Sequence, residues 1–349
     1  MRRNSPSFYG VNMSKIFITG VAGFLGSHLA DEFVKLGHSV AGVDNLFGGY
    51  EDNVSKEIDF HKGDARDYKK LEPLLKGVDV VYLCAAAPHE GLSVFSPNIV
   101  TEHTYNSTVG TLTAAVMNKV KRVVFCSSMA RYGNQNTIPF TEDLPALPHD
   151  PYGIAKYASE LVVKNICEAH GNMEYVIAVP HNIIGPRQKY DDPYRNVASI
   201  MINLMLQGRQ PIIYGDGEQK RAFSFVSDVV GCLVEMAFEP QVVGQIINVG
   251  PDEEYITVND LAGRIAKLLD FKALNPFYVN SRPMEVKYAT CSADKSRRLL
   301  GYKTSHTIEQ GLRAMIDWIK QRGTQPFTYH VPLEIISERT PDTWKDRLF

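Results

Sequence analysis

The chain lacks any apolar run of the roughly 20 residues that a membrane helix needs, so no spanning segment is expected. It also lacks an excess of either charge. Its 37 Lys and Arg stand against 39 Asp and Glu, a formal net charge of -2, which supplies no field to draw nucleic acid or an acidic membrane surface. Cysteine is sparse and scattered (Cys84, Cys126, Cys167, Cys232 and Cys291), with no C-x-x-C pair. Most of these lie in apolar runs such as "VVYLCAAA" and "RVVFCSS". That excludes a disulfide framework and predicts buried free thiols in a reducing compartment, the cytoplasm. There is no H-E-x-x-H and no His/Cys cluster, so no metal site is expected. Repeats and low-complexity tracts are missing too. The opening stretch "MRRNSPSFYGVNM" has two arginines but no apolar segment behind them, so residues 1–12 read as a flexible tail rather than a secretion signal.

What is present is ordinary globular composition, 44% hydrophobic and 22% charged, over 349 residues, enough for one two-lobed unit. "KIFITG", "HSVAGVD", "IDFHKGD", "DVVYLCAAA", "KRVVFCSS" and "VVGQIINVG" read as strands. "GFLGSHLADEFVKLG" and "STVGTLTAAVMNKV" read as helices between them. Strands spaced by helices predict right-handed crossovers and a parallel sheet covered on both faces. The fold class is therefore α/β, a Rossmann-type doubly wound sheet, with a smaller C-terminal lobe for substrate. The first domain is expected over residues 13–180, with 222–250 returning to it. The second lobe and a C-terminal tail fill most of 181–349, where Pro, Tyr and Arg become frequent.

Gly20, Gly23 and Gly26 sit between the first strand and the first helix, in "ITGVAGFLGSHLA", with Phe24 and Leu25 inside the pattern. Glycines there let the chain turn tightly and let backbone N–H groups approach a pyrophosphate at a helix N-terminus. Asp44 ends the second strand, where an acid binds ribose hydroxyls and repels a 2′-phosphate; that favours NAD over NADP, a turn-capping aspartate being the alternative. Asp64 ends the third strand and is expected near the adenine; Asn45 and Ala65 adjoin these acids. Small residues after the fourth strand, Ala85 and Ala86, leave room for the cofactor against the sheet. Further on, "DPYGIAKYASE" places Tyr152 and Lys156 four apart at a proline-led helix start. Residues at i and i+4 share a helix face, and an ammonium beside a phenol lowers the phenol pKa, which a tyrosine general base needs.

These stretches, with "CSSMARYG", "HNIIGPRQ", "YGDGEQKRAFSFVSDVV" and "SRPMEV", resemble the extended short-chain dehydrogenase/reductases over about residues 13–320. Within them the chain is similar to the nucleotide-sugar epimerases and dehydratases, of the UDP-glucose 4-epimerase type. The resemblance implies that Tyr152 is the catalytic base and that Lys156 assists it and holds the nicotinamide ribose. It implies that Ser128 bonds the reacting sugar hydroxyl, that Asn182 contacts sugar or phosphate, and that Arg221 and Arg282 clamp the pyrophosphate. It also implies that Ala289, seven after Arg282, lines the sugar pocket, packing within a strand being the alternative. It implies a homodimer built on the helices around residues 101–119 and 152–169. The chain departs from the family pattern at Ala222, Val179 and Leu83. His89, Glu90 and Ser93, in "PHEGLSVFSP", form a loop that faces the sugar without assigned roles.

In this group oxidation at C4 comes first, and the fate of the ketone separates the members. Related dehydratases carry an Asp-Glu pair after the active-site hydroxyl, decarboxylases a glutamate, and 3,5-epimerising relatives a cysteine. Here the segment is Met129, Ala130 and Arg131. That points to inversion at C4 of a nucleotide hexose, with UDP the commonest carrier. A 4-dehydrogenase or reductase, a dehydratase, and a non-catalytic NAD-binding protein are the alternatives. Arg131 is open between a surface position and contact with a substrate carboxylate.

Overall fold

A computed structural model describes residues 13–349. The tail expected over 1–12 lies outside the described residues. Seven strands form one parallel sheet: β1 (Lys15–Thr19), β2 (Ser39–Asp44), β3 (Asp59–Lys62), β4 (Val80–Leu83), β5 (Arg122–Cys126), β6 (Glu174–Pro180) and β7 (Ile246–Val249). Their spatial order is β7-β6-β5-β4-β1-β2-β3. Ile16 pairs with Val40 on one side and Val80 on the other, so the order reverses at β1. The sequence reading misses β6. Its run "EYVIAVP" is short and apolar, and such a run cannot be told from a helix end by periodicity.

Side chains alternate across the sheet, as strand geometry requires. Ile16, Ile18, Val80, Tyr82, Val124 and Cys126 enter the core on one face. Phe17, Val81, Leu83, Val123 and Phe125 enter the core on the other. With both faces covered, the central strands can be apolar throughout, which is why they read so clearly. The first face is covered by α1 (Phe24–Lys35), which packs against the later helix Val226–Met236. Tyr82 locks that layer by donating its hydroxyl hydrogen to the Leu233 carbonyl at 2.6 Å. The second face carries α2 (Ser107–Met117) and α3 (Pro151–His170). α2 continues a helical run that begins at Pro97, through a π-helical turn at Glu102–Asn106. Asp150 caps α3 by accepting from the Gly153 N–H at 2.9 Å, Pro151 opens it, and Gly171 closes it with φ +64.

Beyond β6 the chain builds a second core from α4 (Val197–Leu206), α6 (Val258–Leu269) and α7 (Ile308–Arg322), with α5 (Val226–Met236) and β7 lying on the first lobe. Small sheets brace the lobe face; one sets Lys220–Arg221 between Ile256–Thr257 and Tyr288–Ala289. The tail, which carries little pattern, packs Val331 and Trp344 against Leu92, Phe95 and Tyr194. Glu334 pins it by accepting from the N–H groups of Asn98 and Ile99 at 2.9 and 3.1 Å.

Candidate active site

The carboxyl ends of β1, β4, β5 and β6 open on a cleft of about 430 Å³ between the lobes. This is where a doubly wound sheet places its ligands. Gly20, Gly23, Phe24, Leu25, Gly26, Asp44, Asn45, Ala65, Ala85, Ala86, Ser128, Tyr152, Lys156, Asn182, Arg221 and Arg282 all line it. Asp64 does not: Arg66 holds its carboxylate through bonds of 2.7 and 2.9 Å, and the neighbouring Ala65 faces the cleft instead. Burial would raise the Asp64 pKa, but those Arg66 bonds bring it down to about 2.

The glycine turn leaves room for a dinucleotide. Gly20 has φ +74, and a Cβ on Gly26 would stand 2.2 Å from the Gly20 carbonyl oxygen. α1 begins at Gly23 without a side-chain cap and with no acid in its first turn, so its N–H groups are left for an anion. Asp44 serves the turn as well as facing the cleft. Its two oxygens accept from the N–H groups of Ala22 at 3.0 Å and Leu46 at 2.7 Å. Each oxygen keeps a second lone pair for a ribose hydroxyl. Burial raises its pKa, and the backbone bonds oppose that rise. These features fit NAD.

Tyr152 and Lys156 lie on the first turns of α3, both buried, facing Ser128 at the end of β5. Ser128 accepts from the Ala130 N–H at 3.2 Å and lies beside the Tyr152 phenol, whose ionised form it favours. Lys156 donates to the Cys126 carbonyl at 2.6 Å, with its ammonium 6.0 Å from the Tyr152 ring centre. Burial brings the ammonium down to about 8. The expected lowering of the Tyr152 pKa by this lysine is corrected here: burial pushes the phenol up, and Ser128 only eases the rise. The lysine charge is directed at the strand-end carbonyl, not at the phenol oxygen.

The arginines separate sharply. Arg221 donates to the carbonyls of Lys220, Lys287 and Val286 at 2.8, 3.2 and 2.5 Å. Arg282 pairs with Glu285 at 2.8 Å and lies over the Tyr214 ring. Arg131 is neither a surface residue nor a cleft residue. It is buried, paired with Glu160 of α3 at 2.9 Å, and Glu160 also accepts from Ser127 at 2.5 Å. Asn182 has φ +42 and donates to the Ala222 carbonyl at 3.0 Å. Ala289 is buried in the core and is not among the cleft residues, so the packing alternative describes it. Ala222, Val179 and Leu83, the departures from the family pattern, are all buried too.

Two cleft residues escaped the motif reading, and Glu90, expected to face the sugar without a role, is placed in the cleft. Glu90 faces the cleft with its side chain open to solvent; loss of hydration between the cleft walls, together with the neighbouring Asp150, raises its pKa to about 7, against Arg221 and Arg282. Arg195 and the last residue, Phe349, also line the cleft. His89 and Ser93, of the same loop as Glu90, turn away from it. Ser93 donates to Asp150 at 3.2 Å, and His89 Nε2 meets Asp192 at 2.9 Å. His330 Nε2 lies 3.7 Å from the same carboxylate, so substrate loop, second lobe and tail meet there. Among the described residues this trio is the one grouping with metal-ligand atoms close together, within 4.8 Å of one another, where sequence spacing showed none.

Comparison with known proteins agrees with this geometry. The NAD dependent epimerase/dehydratase family matches residues 16–250. The chain is 30% identical over 319 residues to a UDP-glucose 4-epimerase of Mycolicibacterium smegmatis, covering 88% of this chain and 99% of that one. It is 31% identical over 327 residues to a UDP-N-acetyl-alpha-D-glucosaminuronate decarboxylase of Bacillus cytotoxicus, covering 88% and 98%. A UDP-glucuronic acid 4-epimerase from Bacillus cereus, solved with UDP-glucuronic acid and NAD, superposes with a TM-score of 0.81 at 27% identity, covering 88% of this chain and 100% of that one. The glycine turn, the serine-tyrosine-lysine group and the sheet order thus share one explanation: the chain belongs to the NAD dependent epimerase/dehydratase family.

Proposed function

We propose that the chain is an NAD-dependent 4-epimerase of a UDP-hexose, acting through a transient 4-keto sugar. The observation that carries this reading is the meeting of Ser128, Tyr152 and Lys156 with the glycine turn in one cleft, beside a segment, Met129 to Arg131, that offers no acid to the sugar. Gly20, Gly23, Gly26, Asp44, Ala85, Ala86 and Lys156 would hold NAD, which would supply the hydride acceptor. Tyr152, as the phenolate that the positive charge of a bound NAD+ beside Lys156 would favour, would take the proton of the C4 hydroxyl, and Ser128, beside the phenol, would orient that hydroxyl. Lys156, lowered to about 8 by burial, is an ammonium able to share its remaining N–H donors with a ribose. Arg221 and Arg282 hold the diphosphate, their forks suited to paired oxygens. The reading extends to a homodimer, supported by the exposed apolar side chains Ile154 and Leu161, seven apart on α3, and Met117 on α2. Five free thiols support a reducing compartment, the cytoplasm.

The test offers nucleotide hexoses deuterated at C4 and follows them by NMR. Label retained at C4 in both epimers, with no growth of NADH absorbance, is the expected outcome. A stable keto product, loss of water or of carbon dioxide, or a steady demand for added cofactor sinks it.

A further inference from the structure

Charged groups inside a protein are ordinarily paired, because an unpaired buried charge is costly. The arginines of this cleft obey that rule with one exception. Arg221 donates to three backbone carbonyls and Arg282 pairs with Glu285, each keeping N–H donors to spare; behind the cleft the buried Arg131 pairs with Glu160. Arg195 is half-buried and lines the cleft, yet among the described residues no carboxylate oxygen lies within 4.0 Å of its guanidinium, and no hydrogen bond of its side chain is found. Its backbone N–H is the bonded part, donating to the Asp192 carbonyl at 3.4 Å. The guanidinium rests against Gly48, where a Cβ would come within 3.2 Å of Nη1. A side chain on residue 48 would crowd the charge out of its position.

Its place in the cleft limits what it can hold. Asp192, beyond ion-pair distance and itself bonded to His89 at 2.9 Å, is the charge that acts most strongly on Arg195, and the Tyr152 phenol comes next. Arg282 lies beside a different stretch of backbone, where a Cβ on Gly91 would come within 3.1 Å of its Nη1. Arg221 and Arg282 together face Glu90 and Glu285. In a pyranose the diphosphate is on C1, across the ring from C4. With C4 at Tyr152, a diphosphate falls toward Arg221 and Arg282. The exocyclic C6 is attached to C5, the ring neighbour of C4, and falls beside Tyr152.

We propose, resting on the C4-epimerase reading, that Arg195 is a binding subsite for a carboxylate at C6, so that the preferred substrate is a UDP-uronic acid rather than a neutral UDP-hexose. A guanidinium donates two parallel bonds to a carboxylate, whereas a C6 hydroxyl leaves the charge half used. Arg131, the other arginine beside the catalytic segment, is taken by Glu160 and is not available for this role.

The experiment compares UDP-glucuronate with UDP-glucose on the full chain and on Arg195→Gln and Arg195→Lys. Near-UV circular dichroism and bound NAD check that each variant is folded. The unmodified protein should have the higher kcat/KM with UDP-glucuronate. Arg195→Gln should lower the glucuronate-to-glucose ratio by about 10- to 100-fold, the weight of a lost charged hydrogen-bond pair, and Arg195→Lys should restore part of it. An unmoved ratio overturns the proposal. So does an equal loss on both sugars with a shifted pH profile, which would assign Arg195 to the Tyr152 phenol. An equal loss of affinity for UDP alone would assign it to the diphosphate and also overturn the proposal. If the unmodified protein inverts neither sugar, the epimerase reading fails, and calorimetry still decides the subsite: tighter binding of UDP-glucuronate than of UDP-glucose, abolished in Arg195→Gln, upholds it, and equal binding ends it.

Discussion

The two walls of the cleft are made of different material. The wall toward the sheet is backbone and small side chains: Gly20, Gly23, Gly26, Ala85 and Ala86, held by main-chain bonds such as Gly20 N–H to the Val43 carbonyl at 2.8 Å. The wall toward the second lobe is long side chains, Glu90, Arg195, Arg221, Arg282 and Phe349, brought from segments that span residues 90 to 349. A backbone wall recognises what is common to every dinucleotide. A side-chain wall can differ from one substrate to another while the fold stays put. Cofactor binding and substrate choice are therefore expected to respond to different substitutions.

The largest effect belongs to the line where the walls meet. Tyr152→Phe keeps the ring and its packing and removes only the proton acceptor. Turnover should fall by about 10² to 10⁴, with NAD content unchanged. A variant that keeps more than about a tenth of the rate places the base elsewhere. Next comes the buried Arg131–Glu160 pair, which ties the Ser128 segment to α3. Arg131→Met leaves Glu160 uncompensated, and breaking such a pair costs about 3–5 kcal/mol. Denaturant unfolding should show that loss, whereas Arg131→Met with Glu160→Leu should recover most of it. A single variant as stable as the double would mean that Ser127 alone satisfies Glu160. The third is Trp344, 2% exposed and packed edge-on against Phe95 and Tyr194. Trp344→Ala removes about 3–5 kcal/mol of packing from the tail. KM for the nucleotide sugar should rise while NAD stays bound, and a parallel loss of NAD would break the two-wall picture.

The same contrast explains what the sequence disclosed. The backbone wall is contiguous in the chain, since a strand, a turn and a helix must follow each other to make it. "ITGVAGFLGSHLA" therefore announces it, and "PYGIAK" announces the catalytic turn of α3 in the same way. The sheet was legible because its central strands are apolar on both faces, except β6, whose seven residues carry no period to separate strand from helix. The substrate wall has no such local grammar. Arg195 sits in "DPYRN", which says nothing about the cleft until α4 and the Gly48 loop fold around it. Arg131 was visible but its partner was not, because Glu160 lies 29 residues away. The tail showed no pattern because its contacts are single anchors, Val331 and Trp344, rather than a periodic face. His89, Asp192 and His330 are likewise too far apart in sequence for any spacing rule to join them.

The smallest predicted effect is a pH dependence confined to the side-chain wall. Glu90 faces Asp150, Glu285 and Tyr152 as well as Arg221 and Arg282, and loss of hydration within the cleft with the Asp150 charge raises its pKa from 4.5 to about 7, while the side chain stays open to solvent there. The sign follows directly. Below about 7 the folded chain keeps Glu90 neutral, and Arg221 and Arg282 meet the diphosphate without a competing carboxylate. As pH rises through 7 the group ionises, repels the incoming anion and draws on both arginines. KM for a UDP-sugar should therefore rise across that step by about three- to tenfold, up to the weight of one pKa unit. Glu90→Gln should flatten the KM profile and leave NAD affinity unchanged at every pH, because the glycine wall has no part in this titration. A KM profile that keeps its step in Glu90→Gln would hand the titration to another group, and an NAD affinity that follows the same step would mean that the two walls are electrostatically one.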